Sequence, residues 1–532
     1  MLGPVTDSPS TNEPSNDAVT EPSTRPVSRR NLLLGAGGAA AFAVAGGAVG
    51  YAIAGGRDEQ AAPATADGKT AAQAAPPKYR SRPDLRTLPD VTITTPANGT
   101  LPGYIFLTPA SGAGLWGPLM VDEKGSPVWF RKVSDPATVA IDFKTQLYRN
   151  KPIVSWWEGT IGGTGGQGVG QGEFVIADPS YREITRVRAA GTEQADQHDF
   201  HITPKGTALF WVYDPIPYNL TPMGGPADGV LHDCLIQEVD IATGKKVFEW
   251  SAIKHVGIDE SHAPMPQGDS AHLPYDFFHA NSVGVAADGN IIASSRHTWT
   301  TYKIDKTTGE VIWRLGGKKS DFALDEQSKF SWQHDFRQRR DGSYALFDNG
   351  FGVTKERPYS RGLVLKLDEA KMTATFVQEY VHPEKLSCMT QGSFRELADG
   401  GSFIGWGQKP YFTEHNADGS VRLAGHLPLD NQSYRAYKAE WVGEPLDQPA
   451  LGLHVEGGNV VVSASWNGAT KVAKWRARSG GQPGALAQST VGDRTGFETR
   501  VTIQGTPEYV VAEALDSKGN VLSASSAVPV RV

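Results

Sequence analysis

Four stretches of this 532-residue chain hold potential chemistry at constant offsets from a turn glycine. They read HDFHITPKGTALFWVYD, HANSVGVAADGNIIASSRH, HDFRQRRDGSYALFDNG and QGSFRELADGGSFIGWGQ, with Gly206, Gly289, Gly342 and Gly400 at the turns. Eight residues before these glycines stand His198, Asn281, His334 and Gly392; seven after them stand Tyr213, Arg296, Asn349 and Gly407. Equivalent positions of a repeat occupy equivalent places in a symmetric fold, so His198, Asn281, His334 and Arg296 are expected to face one centre. Two imidazoles, an amide and a guanidinium suit nucleophilic and acid–base chemistry on an anion.

The elements that must position them are short strands. From about 90 to 445, β-like runs alternate with turns, as in GYIFLTPA, KPIVSWWEG, TALFWVYD and GLVLKLDEAKMTATFVQEY. A second landmark recurs as Asp240-x-x-Thr243-Gly244 before Trp250 and Asp305-x-x-Thr308-Gly309 before Trp313. Each landmark is a hairpin, and two hairpins make a four-stranded unit. Radially repeated units of this kind predict an all-β fold, a six-bladed β-propeller over residues 85–445. The Pro/Gly-rich segments 214–229 and 254–278 are expected to be insertions over one face. Beyond Trp441 the rhythm shortens. Residues 450–532 predict a C-terminal immunoglobulin/fibronectin-like β-sandwich with Trp466 or Trp475 filling its core.

Sixty glycines and 35 prolines fit a turn-rich all-β chain, and a net charge of −7 without a basic stripe argues against a nucleic-acid partner. Cys234 and Cys388 have no zinc-site spacing, and either one disulfide or two core thiols accounts for them. Residues 1–54 form a polar leader followed by Arg29-Arg30 and an apolar run over 32–54, the pattern of a twin-arginine export signal. Ala52-Ile53-Ala54 offers a cleavage site, and the uncleaved run is long enough to serve as a membrane anchor. Residues 55–84 are expected to be a flexible linker. The protein is therefore expected outside the cytoplasm, secreted or held in the cell envelope.

Three ordered stretches carry a family resemblance: Phe278-His279-Ala280-Asn281-Ser282-Val283, Ser294-Ser295-Arg296-His297 and Trp332-Gln333-His334-Asp335. Together with TGEVIWRLGG, HDFHITPKGT and the opening TTPANGTLPGYIFLTPASG, they resemble the bacterial arylsulfotransferase family in its actinobacterial and fungal branch, over residues 90–445. The resemblance implies a six-bladed propeller that moves a sulfuryl group from a phenolic sulfate to a phenol through a sulfated histidine, without an adenylyl-sulfate cofactor. It implies His334 as nucleophile, His279 and Asn281 as the His-x-Asn motif, Arg296 as the Ser-Arg motif, and His198 or His201 as a further active-site histidine. The C-terminal place of the immunoglobulin-like region and the lack of a closely spaced cysteine pair depart from the enterobacterial branch.

That chemistry suits the residue types. A neutral imidazole attacks sulfur, Arg296 holds sulfate oxygens with parallel donors, and His279 or His198 serves the leaving and incoming phenol as acid and base. Asn281 donates to a sulfuryl oxygen, and His201, Tyr213 and Asn349 are candidate substrate-binding positions. Asp335 is expected to point away from His334 along its strand. The blander alternative gives such histidines a bond to the backbone of the next blade. Two other functions compete: a histidine-ligated metal centre on the propeller axis, which the positive charge of Arg296 disfavours, and a non-enzymatic exported propeller that binds glycan or protein. Sulfuryl transfer through a histidine is expected to need no metal and no cofactor. Its partners are a small aryl sulfate and a phenol.

Overall fold

The turn glycines do what their spacing requires. Gly206, Gly289, Gly342 and Gly400 all have φ between 79 and 88°, the left-handed region that disfavours a side chain. Around each of them two antiparallel strands form a hairpin. Since pairing runs backward across a hairpin, a residue eight before the turn lies near a residue seven after it. His334, for example, pairs with Phe347, two residues before Asn349.

The computed structural model describes residues 77–162, 168–191, 194–267 and 273–531. The leader, the twin-arginine segment and most of the 55–84 linker lie outside them. The described part is all-β, a propeller-like succession of four-stranded antiparallel units. One unit runs Val139–Tyr148, Lys151–Ile161, Gly170–Ala177 and Glu183–Val187. The next runs Ala195–Ile202, Thr207–Tyr218, Gly229–Asp240 and Lys246–Ser251, and among the described residues its strands pair with the first unit at Gly172 and Ala195. Then come units built on Ala280–Val285, on His334–Gln338 and on Ser393–Glu396. The last unit closes the ring: Tyr437–Ala439 pairs with Tyr104–Leu107, which continues into Leu119–Val121 and Pro127–Phe130. Thr92–Thr95 covers the outer edge of the unit before it.

First strands of successive units surround one axis and are stitched by a repeated bond. Asp199 accepts from the backbone N–H of Val283, Ser282 from Phe336, Asp335 from Phe394 and Ser393 from Ala436. The stitching residue is the one after each landmark, so the landmark side chain itself is released for other work. By the same register Tyr434 is the counterpart of His198, Asn281, His334 and Gly392.

Asp335 differs from expectation. The strand pairing slips between His334 and Arg337, and Asp335 has φ 57°. This bulge breaks the alternation, so His334 and Asp335 both face the axis, at different depths. The segment 214–229 begins as strand. Pro215 and Pro217 extend Thr207–Tyr218 beyond its last partner on the Ala195–Ile202 side, where no N–H is needed. The larger part, 219–228, is loop with one 3-10 turn at Thr221–Met223.

Residues 450–531 form two antiparallel sheets packed on Val460, Val462, Trp475, Ala477, Val501 and Val510. Trp475 fills this core and Trp466 lies at its edge. The two sheets join the preceding units through Tyr181, which stacks on Trp129 at 4.6 Å and donates to the Gly468 carbonyl. The end of the expected linker is not loose: Tyr79 packs on Phe497, and Ser81 bonds Glu498 and Ser465. Cys234 and Cys388 are free, buried thiols, with Cys388 pushed up to about 12 by burial. No helix among the described residues is long and apolar enough to cross a membrane.

Candidate active site

His334 opens its strand on the axis and is 1% exposed. Asn349 Nδ2 donates to the carbonyls of Cys388 and Gln391 at 3.0 and 3.1 Å, which turns Oδ1 toward the imidazole. His334 Nδ1 therefore carries the proton and donates to Asn349 Oδ1 at 2.8 Å. The backbone N–H of Gln391 donates to Nε2 at 3.2 Å, which independently requires a lone pair there. Burial holds the ring far below the ordinary imidazole pKa, and the charge of Arg296 adds to it, against the bond to Asn349. His334 is thus a neutral imidazole with its lone pair fixed on Nε2.

His198 and His279 are backed differently. His198 Nδ1 meets Asp196 Oδ1 at 2.5 Å, and His279 Nδ1 meets Asp276 Oδ2 at 2.5 Å. A carboxylate at Nδ1 orients the ring and leaves Nε2 for proton transfer. Their centroids are 5.0 Å apart, edge to face. Burial depresses the basicity of His279, with His198 and Arg296 acting in the same sense.

Arg296 follows Ile291–Ser295 and is 7% exposed. Its guanidinium donates to the Met389 carbonyl at 3.0 Å, contacts His297 Nε2 at 3.0 Å and lies over the Trp332 ring at 4.8 Å. His297 Nδ1 donates to the Asp276 carbonyl at 2.6 Å, so its Nε2 is the acceptor for Arg296. Burial, with His279 beside it, lowers the His297 pKa to about 3 and keeps it in that accepting form. The walls are aromatic: Tyr213 at 5.7 Å from His198, Tyr434 at 5.7 Å from His198 and 6.4 Å from His334, and Trp332.

His334, His198, His279, Arg296, Tyr213 and Asn349 come together, but not all in the expected capacity. Asn349 positions His334, and Tyr213 spends its hydroxyl on the Ala280 carbonyl at 2.8 Å. Asn281 has one N–H committed to the Gln333 carbonyl at 2.7 Å, while its buried Oδ1 has no partner among the described residues. His201 is elsewhere. It stands three residues past His198, about 10 Å along the strand, beyond Asp199, and lines a cavity at the other end of the axis.

Asp276, His279 and His297 have ligand atoms close enough to hold a metal ion. Their donors do not fit one. The imidazole and carboxylate of His279 and Asp276 occupy each other, His297 uses Nδ1 on a carbonyl, and its Nε2 faces a permanent cation.

The sequence reading missed Asp196, Asp276, His297 and Tyr434. Asp196 was findable, two residues before His198 and hence on the same strand face.

The chain is similar to a Bacteroides caccae protein of unknown function at 11% identity, over 64% of this chain and 99% of that one, with TM-score 0.35. It is similar to the Cps50 (Swd1) β-propeller domain of Myceliophteria thermophila at 11% identity, over 63% and 98%, with TM-score 0.30. Its likeness to a virginiamycin B lyase of Staphylococcus aureus is 9% identity over 75% and 97%, with TM-score 0.30. No curated protein matches it. Residues 144–426, more than half of the chain and the part that holds every residue of the cluster except Tyr434, match the family described as Arylsulfotransferase (ASST). The chain belongs to the arylsulfotransferase family.

Proposed function

We propose that the protein transfers a sulfuryl group from an aryl sulfate to a phenol in two displacements through His334. What carries this reading is the protonation pattern at His334: Asn349 and the Gln391 N–H both demand a lone pair on Nε2, in the field of Arg296. In the first step Nε2 attacks sulfur, the N–S bond forms, and the S–O bond to the aryl group breaks with its electron pair on the phenolate. His198 supplies a proton to that oxygen from Nε2, since burial keeps His279 without one to give. The sulfated ring keeps its Nδ1 proton and gains positive charge, which Asn349 Oδ1 steadies. As sulfur displaces the long 3.2 Å contact, the Gln391 N–H becomes available to a sulfuryl oxygen. In the second step the same histidine takes the acceptor's proton, the phenolic oxygen attacks sulfur, and the N–S bond returns its pair to Nε2. Arg296 stabilises charge on the sulfuryl oxygens throughout, the kind of contribution worth about 3–4 kcal/mol in a preorganised site.

The scaffold fits a six-bladed propeller closed by Tyr437–Ala439, followed by an immunoglobulin-like sandwich. Residues 1–54 fit twin-arginine export to the cell envelope or beyond, with cleavage after Ala54 or retention as an anchor. The functional test is release of p-nitrophenolate from p-nitrophenyl sulfate with and without added phenol. Acceptor-stimulated release that disappears in His334→Ala supports the transfer. Release that no acceptor stimulates, or that survives in His334→Ala, sinks it.

A further inference from the structure

The same strands that present the histidines build a second, chemically opposite place three residues further on. The positions three past the landmark are Lys144, His201, Gly284, Arg337, Arg395 and Tyr437, and all six line one cavity of about 580 Å³. Between it and the histidine cluster lies a buried ionic plug. Arg435, fully buried, reaches Asp199 at 2.9 Å, Asp142 at 3.6 Å and Asp335 at 3.7 Å. Lys144 pairs with Asp142 at 2.6 Å and Asp199 at 3.3 Å, and Arg395 with Asp335 at 2.9 Å. The plug separates the two ends of the axis, so the cavity is not an extension of the site described above.

Its lining is rich in bases: Lys144, Arg337, Arg339, Arg340, Arg395 and Lys438, against the acids Asp199 and Glu396. The plug carboxylates compensate Lys144, Arg337 and Arg395, and Glu123 and Glu414 compensate Lys438 at 2.5 Å, which leaves Arg339 and Arg340 as the loosely paired cations. Arg339 is held by long contacts alone among the described residues, donating to Ser343 Oγ at 3.4 Å and the Gly400 carbonyl at 3.5 Å and standing 3.6 Å from Glu396 and 3.8 Å from Asp341. Its side chain is 10% exposed, and its Nε has no acceptor among the described residues. Arg340, 60% exposed, stands where the cavity meets solvent. The positive field also shows on His201. Burial first, then Arg337, Lys144 and Arg395, lower its pKa to about 4 against the opposing pull of Asp199. Gly284 supplies room. A Cβ there would come within 3.1 Å of Arg337 Nη1, whereas four of the other five equivalent positions carry a long or aromatic polar side chain that narrows the ring, and His201 fills the fifth.

The geometry points to a second binding site at this mouth, for a small dianion or polyanion bearing phosphoryl or sulfo groups. The volume is that of a small-molecule site, which excludes a nucleic acid or an acidic protein surface as occupant. Guanidinium forks match the oxygens of such groups. This site stands independently of the sulfuryl transfer proposed for His334.

Isothermal titration of the full chain in a low-ionic-strength chloride buffer tests it, with pyrophosphate and benzene-1,3-disulfonate as separate probes. The expected result is one saturable site for at least one probe, and the preferred probe identifies phosphoryl or sulfo chemistry. Arg339→Gln with Arg340→Ala weakens it by about tenfold or more. Gly284→Leu, which fills the cavity without removing charge, weakens it as well and covers the case in which the arginine variant misfolds. Arg296→Ala leaves the affinity within about twofold, because that residue belongs to the other end. No binding of either probe overturns the proposal. So does binding that Arg296→Ala abolishes while the cavity variants retain it.

Discussion

The two ends of the axis are built from the same inner strands, yet one is a set of nearly neutral imidazoles and the other a lattice of ion pairs. At the upper end burial, with neighbouring histidines and a single arginine, keeps His279, His297 and His334 unprotonated, each held by specific hydrogen bonds. At the lower end Arg435, Lys144, Arg337 and Arg395 satisfy Asp142, Asp199 and Asp335. The difference shows how a symmetric scaffold divides labour. One position per strand stitches neighbours together, the position before it is free for chemistry, and a bulge lets both face inward. The buried ion pairs need not add net stability, but each becomes costly once a partner is removed.

The comparison breaks most sharply at His334. His334→Ala is expected to lower turnover by at least roughly 10⁴-fold, since no other imidazole has an amide-backed lone pair at that place. Its fold should stay intact by circular dichroism, because the stitching bond belongs to Asp335. Arg435→Met attacks the other end and should cost about 3–5 kcal/mol in denaturant unfolding by stranding the carboxylates around it. A loss below about 1 kcal/mol would mean the plug is not the structural element described here.

Two smaller effects sharpen the upper end. Arg296→Ala should reduce kcat by roughly 10²–10³-fold, with Arg296→Lys recovering only part, because the bidentate fork is lost. Asn349→Ala should cost about 10–100-fold, mainly in kcat, by freeing the tautomer of His334. If KM alone rises, Asn349 binds substrate instead.

The smallest expected effect is on the pH dependence of stability. His297 and His201 have folded pKa values of about 3 and about 4, below the unfolded value near ~6.5. The unfolded state then binds more protons between those limits, so stability is fully present above pH ~6.5 and falls as pH drops toward the folded values. Asp199 and Asp335, also depressed, extend that loss at lower pH. Melting temperature measured across pH 4–8 should therefore decline below pH ~6.5. A flat profile would contradict the burial of these rings.

Much of the upper end was legible in the chain. The spacing around the turn glycines singled out His198, His334, Tyr213, Arg296 and Asn349, because a hairpin converts sequence symmetry about its turn into spatial proximity. Tyr434 was hidden for a topological reason: it leads into Tyr437–Ala439, whose partner strand comes from the other end of the described chain, and no landmark glycine follows it. Asp276 precedes the strand in an irregular turn, where no periodicity marks it. His201 was misplaced because strand alternation says which face a residue takes but not how far along the axis it lies. The lower end went unread for a related reason. The bulge at Asp335 violates the alternation by which its direction was judged.

The central claim, a covalent intermediate on His334, is tested most directly by mixing enzyme and p-nitrophenyl sulfate without acceptor, quenching at alkaline pH, and mapping the peptides by mass spectrometry. The account predicts one added SO3 on the peptide carrying His334, at Nε2, formed as fast as the burst of p-nitrophenolate and discharged on adding phenol. A burst with no modified His334, or the SO3 found on His198 or His279 instead, would contradict it.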